Sequence, residues 1–179
     1  MATINGITIK SFKTFSGIEY PSIREANIWK DGKKIGTYRE DEWGGPSHMT
    51  SGLSDIILPS AIQYHSGCPD GRYKELQSDP DIFIGHLLTL AEYEKEYKRN
   101  CKNGRNYTLF IGNDWKWLCY GCSQHIPHKT TDELPDIIKK AIKKEFPNND
   151  YVIWEGNNES DFIITVDETH PVPKFFERK

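Results

Sequence analysis

From Ile7 to Phe15 the side chains alternate, with Ile7, Ile9, Ser11, Lys13 and Phe15 on one face and Thr8, Lys10, Phe12 and Thr14 on the other. That period of two predicts a strand. Residues 25–30 and 33–38 flank Asp31-Gly32. This dipeptide takes positive φ readily and suits a type I′ turn, so the two stretches predict a hairpin. Trp43-Gly44-Gly45-Pro46 follows, where two glycines before a proline turn the chain into a loop running toward Gly52.

In 53–64, Leu53, Ile56, Ile57, Leu58 and Ile62 fit a short helix as well as a buried strand, and Pro59 interrupts either, so the type stays open. Residues 65–80 hold Gly67, Pro69, Gly71 and Pro80 among few apolar side chains and predict an irregular surface connection. With Pro80 at a first helical position, Phe83, Leu87, Leu90, Ala91 and Glu94 form one stripe, and Gly104 stands just past the end. A helix reaching about Lys102 is expected.

Residues 105–111 and 115–120 are rich in aromatic and β-branched side chains around Gly112-Asn113-Asp114, a second predicted hairpin. Thr131 or Asp132 can cap a helix carrying Leu134, Ile137, Ile138, Ala141 and Ile142 at helical spacing, with Lys139, Lys140, Lys143 and Lys144 opposite and Pro147 as its stop. Two apolar strands, 151–154 and 162–166, with Gly156-Asn157-Asn158 between them as turn material, complete the pattern as a last predicted hairpin. A loosely held tail is expected over 171–179. Strands and helices do not alternate regularly, so the order predicts an α+β fold, a mainly antiparallel sheet with two principal helices packed on one face. One domain over 1–179 is expected.

Composition narrows the function classes. A hydrophobic share of 36% with 27% charged residues can fill a core. A net charge of −3 provides no overall field for nucleic acid or anionic lipid. No apolar run approaches the roughly 20 residues of a membrane span. The amino terminus lacks the basic and apolar segments of a secretory signal, and four cysteines are too few for a disulfide scaffold, which points to the cytoplasm.

The densest chemical segment is 119–128, where Cys119, Cys122, His125 and His128 could hold one zinc ion. His65 or Cys68 could close the shell instead. The plainer alternative places Cys119 on the inward face of a hairpin with Trp115 and Trp117, and leaves Cys122 and the histidines as loop residues. A thiol nucleophile would need a lowered pKa and an imidazole within reach. The phosphate-loop, dinucleotide, nucleophile-elbow and His-Glu-x-x-His motifs are all absent, as is the His-x-Glu of zinc deaminases. Glu96-Tyr97-Lys98, the nearest match to a nuclease carboxylate and lysine set, sits on a predicted helix among solvated charges.

Two further groups suggest binding. Lys98, Arg99, Lys102 and Arg105, with Lys95, cluster at the end of the first long helix and could meet phosphates. Trp29, Tyr38 and Trp43 lie near turns, where large rings can anchor a partner.

The stretch Ala26-Asn27-Ile28-Trp29-Lys30-Asp31-Gly32-Lys33-Lys34-Ile35-Gly36-Thr37, followed by Asp41-Glu42-Trp43-Gly44-Gly45-Pro46, resembles the first hairpin of small uncharacterised proteins of bacteriophages and other mobile elements. Similar proteins continue with a charged helix, a strand and a lysine-rich helix, matched in arrangement by 92–100, 107–111 and 136–144. The resemblance implies an accessory protein whose partner is a host protein, a class that includes inhibitors of host defence such as anti-CRISPR proteins. It carries over no catalytic residue. The expectation is therefore a non-enzymatic binding protein, with nucleic-acid binding at the helix end and a small zinc-dependent protein as the alternatives.

Overall fold

The computed structural model describes residues 1–16, 22–67, 79–113, 117–126, 130–167 and 169–170. The elements are β1 (Thr3–Ile4), β2 (Ile7–Phe15), β3 (Ile23–Lys30), β4 (Lys33–Arg39), β5 (His48–Met49), α1 (Leu53–Ser66) and α2 (Pro80–Lys102). Then come β6 (Tyr107–Gly112), β7 (Trp117–Cys122), a 3-10 turn (Thr131–Glu133), α3 (Asp136–Glu145), β8 (Val152–Gly156), a second 3-10 turn (Glu159–Phe162) and β9 (Ile163–Ile164). The fold is α+β with mostly antiparallel sheets.

The described residues gather into two compact units. One comprises Met1–Glu92 and the described residues from Glu159 onward, the other is built on Tyr93–Asn158, and the boundary falls inside α2.

The first unit holds a sheet of order β5-β4-β3-β2-β1-β9, antiparallel except for the parallel pair β1 and β9. Its predicted hairpin forms as expected, with Asp31 and Gly32 both at positive φ between β3 and β4. Ile9 faces Ile28, which faces Gly36, and α1 closes on that side so tightly that a Cβ on Gly36 would lie 3.2 Å from Leu53. Arg24, on the same face, reaches Thr89 and Glu92 of α2 and is clamped by Glu40. Burial opposes its charge, but Glu40 and Glu92 outweigh that and raise the guanidinium pKa.

The alternation expected through 7–15 does not hold to its end. A bulge between Lys10 and Lys13, with Ser11 at φ 53, shifts the phase, so Lys13 pairs with Glu25 on the face of Thr8 and Lys10, opposite Ile7 and Ile9. A second bulge, between Ile28 and Trp29, puts Lys34 opposite Trp29 on that same face. The period of two reverses at each inserted residue.

The open segment 53–64 resolves as helix: Leu53, Ile57, Ala61 and Tyr64 are buried at helical spacing, and Pro59 lies exposed on the outer side. The helix continues through His65 and Ser66, where an irregular connection over 65–80 was expected; residues 68–78 lie outside the described residues, as does the tail 171–179. Pro80 opens α2 as predicted.

The second unit has a three-stranded antiparallel sheet of order β7-β6-β8. One face, with Leu109, Ile111 and Cys122, packs on Ile138 and Ile142 of α3 together with Leu134 and Phe146. The other face carries Phe110 and Trp154, which stack with Tyr93 of α2 at centroid distances of 4.5 Å and 5.8 Å while Trp117 meets Tyr93 edge-on at 5.0 Å. Two of the five tryptophans are thus absorbed in packing. The expected helix from 131 is split: Thr130 caps the 3-10 turn, and α3 starts only after Pro135. The expected last hairpin does not form. β8 pairs with β6, whereas β9 pairs with β1 in the other sheet, because the turn material after Gly156 leads into a second 3-10 turn and not back along β8.

Candidate functional site

The loop after β4 is built around one carboxylate. Asp41 Oδ1 accepts the backbone N–H groups of Trp43 at 2.8 Å and Gly45 at 2.9 Å, and Oδ2 lies 3.2 Å from His48 Nε2 on the edge strand β5. The Gly45 and Trp43 amides, aided by His48, hold this carboxyl below the usual carboxylate range. Gly44 supplies the positive φ, 74°, that the turn requires. The result is a fixed loop whose tip presents Trp43, 60% exposed.

Neighbouring side chains extend that surface. Arg39 pairs with Glu42, the residue before Trp43, and its guanidinium carbon stands 5.8 Å from the centroid of the Phe15 ring, itself 42% exposed. Trp and Arg are among the residue types that carry most of the binding energy at protein interfaces. Phe15 and Arg39 were not singled out from the sequence; the bulge that turns Phe15 outward left no mark there.

Of the three rings expected to anchor a partner, only Trp43 is presented. Tyr38 is 3% exposed, faces the core beside Ala26, and hydrogen-bonds Ser47 Oγ at 2.7 Å. Burial drives its phenol pKa up, and it belongs to the packing of the unit. Trp29 is half-buried on the sheet face away from α1, with Lys10 Nζ 3.8 Å from its ring centroid.

The helix-end cluster is partly neutralised on its own helix. Lys98 pairs with Glu94 and Arg99 with Glu96, and Arg105 donates to Ser123 Oγ; Lys102 is exposed. The four predicted phosphate ligands thus do not form a set of uncommitted cations.

The predicted zinc set is not assembled. Cys119 and Cys122 are three positions apart on one regular strand, so they point to opposite faces of the sheet: Cys119 opposite Phe110, Cys122 opposite Tyr107 and into the α3 core. His125 meets Glu155 at 2.9 Å, and His128 lies outside the described residues with Cys68. His65 is buried in α1, its ring 5.6 Å from that of Tyr64. Among the described residues no three His, Cys, Asp or Glu side chains are grouped to hold a metal ion. Burial and then Glu96 push the Cys119 thiol up to about 11 despite an amide hydrogen from Asn100 at 3.6 Å, which disfavours the thiolate that a nucleophile needs. Burial, with Glu155, raises Cys122 as well. Exposed Cys101 is expected to react with iodoacetamide at neutral pH well before Cys119, a difference that peptide mass spectrometry resolves.

No helix among the described residues is long and apolar enough to cross a membrane. No protein-family model matches the chain, and neither curated proteins nor solved structures give a match.

Proposed function

We propose that this chain is a non-enzymatic binding protein that captures a protein partner through the Trp43 loop. The observation that carries this reading is a large exposed ring on a loop already fixed by Asp41, so little conformational entropy remains to be lost on binding. The resemblance of the hairpin and its Gly-Gly-Pro loop to phage and mobile-element proteins supports a host protein as the partner. Occupying that partner's surface, as an anti-CRISPR or related inhibitor of host defence does, is the proposed mode of action.

The test is capture of the tagged chain's partner from a bacterial lysate with and without nuclease, followed by affinity measurement on the purified pair. Trp43→Ala is expected to weaken binding tenfold or more, about 1.4 kcal/mol or above, while the thermal midpoint stays within a degree or two. Asp41→Ala, which releases the loop but keeps the ring, is expected to weaken binding less. A partner that ignores both changes, or a Trp43→Ala protein that loses folding together with binding, would sink the proposal.

A further inference from the structure

The first unit's sheet has a second face. α1 packs against Gly36 on the side of Ile9 and Ile28, whereas Thr3, Thr8, Lys10, Lys13, Glu25, Asn27, Trp29, Lys34, Thr37 and Arg39 share the opposite side through their cross-strand registers. The two bulges bring Lys13 and Lys34 there, on either side of Trp29 and its attached Lys10. Lys30 and Lys33 pair with each other at the hairpin tip, on the side of Ile7, and Glu25 and Asp31 are the acids nearby. In a chain of net charge −3 this is a local reversal of sign. Among the described residues none of these five lysines is engaged in an ion pair, unlike Lys98 and Arg99 of the helix-end cluster.

From this face we infer a binding surface for single-stranded nucleic acid, centred on Trp29 and not on the Trp43 ring, with Arg39 and Phe15 at the edge the two surfaces share. Lysines interleaved with an aromatic ring on a half-exposed antiparallel sheet face are the chemistry of a strand-binding platform: ammonium groups meet phosphates and the ring stacks a base. Trp29 already holds a cation over its face, so Lys10 can move to a phosphate as a base takes its place. Thr8, Thr37 and Asn27 surround the ring with hydroxyl and amide groups suited to sugar and base edges. The sheet face is broad and half-polar, which favours splayed bases over the grooves of a duplex.

The experiment uses the full chain and fluorescein-labelled oligothymidylate and oligouridylate of about 20 nucleotides, a length that covers one such platform, with a duplex of equal length as control. Anisotropy is expected to show binding to the single strands at low salt that weakens steeply as salt rises. Lys13→Glu with Lys34→Glu, both exposed positions, is expected to reduce affinity at least tenfold and to lower the salt slope. Lys102→Glu with Arg105→Glu, and Trp43→Ala, are expected to leave it within twofold. Circular dichroism of the Lys13 and Lys34 variant confirms that it folds. No binding to single strands at low salt, preference for the duplex, or loss only in the Lys102 and Arg105 variant overturns the inference, and none of these outcomes bears on protein capture by the Trp43 loop.

Discussion

Replacing Asn5 with alanine is expected to destabilise the first unit by about 3 to 5 kcal/mol, summing lost hydrogen bonds, an orphaned buried donor and an unfavourable left-handed backbone. Asn5 stands at φ 47 in the turn between β1 and β2. Its Nδ2 donates to the carbonyls of Ser60 at 3.3 Å and Val166 at 3.0 Å, and its Oδ1 accepts the Val166 N–H at 2.8 Å. Its backbone joins in, the N–H donating to Ile164 and the carbonyl accepting from Ser60 Oγ. One side chain therefore fastens the amino-terminal turn to α1 and to the segment that returns beside β9. Val166 is fully buried, so removing the amide leaves its N–H without a substitute acceptor. Asn5→Gly separates the contributions: it relieves the backbone cost but not the lost bonds, and is expected to recover about 1 kcal/mol of the loss. Urea denaturation of the three proteins measures both steps; a loss under about 1 kcal/mol for Asn5→Ala would show that water replaces the amide.

That contact also explains which parts of the fold the sequence makes legible. Elements specified by neighbours in the chain were readable: Asp31-Gly32 dictates its turn, Pro80 and the apolar stripe dictate α2, and the Ile138 and Ile142 spacing dictates α3. Elements specified by distant partners were not. The two-residue strand β9 has too little pattern to identify itself and exists because β1 lies beside it, held there through Asn5 and Val166. Proximity in sequence to β8 suggested a hairpin, yet long-range pairing decided the outcome. The run from Leu53 was ambiguous because a buried helix and a buried strand share an apolar composition, and burial at Leu53, Ile57, Ala61 and Tyr64 is visible only after folding.

The sites divide along the same line. Trp43 was legible because Gly-Gly-Pro forbids regular structure around it, leaving the ring in a loop. Tyr38 was not, since alternation tells which residues share a face and not which face is covered. The Cys119 and Cys122 spacing satisfies a zinc knuckle in a turn but splits across the sheet in a strand, and the strand prevails because Cys122 has the α3 core to enter. The lysine-lined face around Trp29 was hidden by two bulges. Read with an unbroken period of two, Lys13 falls beside Ile7 and Ile9; one extra residue moves it to the side of Lys10.

Substituting alanine for Gly67 is expected to cost about 2 to 3 kcal/mol, at the upper end for one added methyl in a packed site. The reason is space, not dihedral freedom, since Gly67 at φ −84 adopts a conformation open to any residue. A Cβ there would lie 2.5 Å from Val166 Cγ1 and 2.6 Å from the Asp167 carbonyl oxygen, with the His170 carbonyl at 3.1 Å. The valine methyl can rotate; the carbonyl can retreat only if the turn carrying it yields. That turn is stiff, because Asp167 Oδ1 accepts from the Thr169 hydroxyl and from the backbone N–H groups of Thr169 and His170. The Thr169 and His170 bonds hold this carboxyl far below its ordinary range, so the clasp is complete above the normal carboxylate pKa and is lost only as pH falls through the lowered one. Asp167→Ala loosens the turn, and in that background Gly67→Ala is expected to cost less than half as much, a coupling that a double-mutant cycle in urea detects. Full additivity would place the strain in the Val166 side chain, and Val166→Ala would then be the change that relieves it.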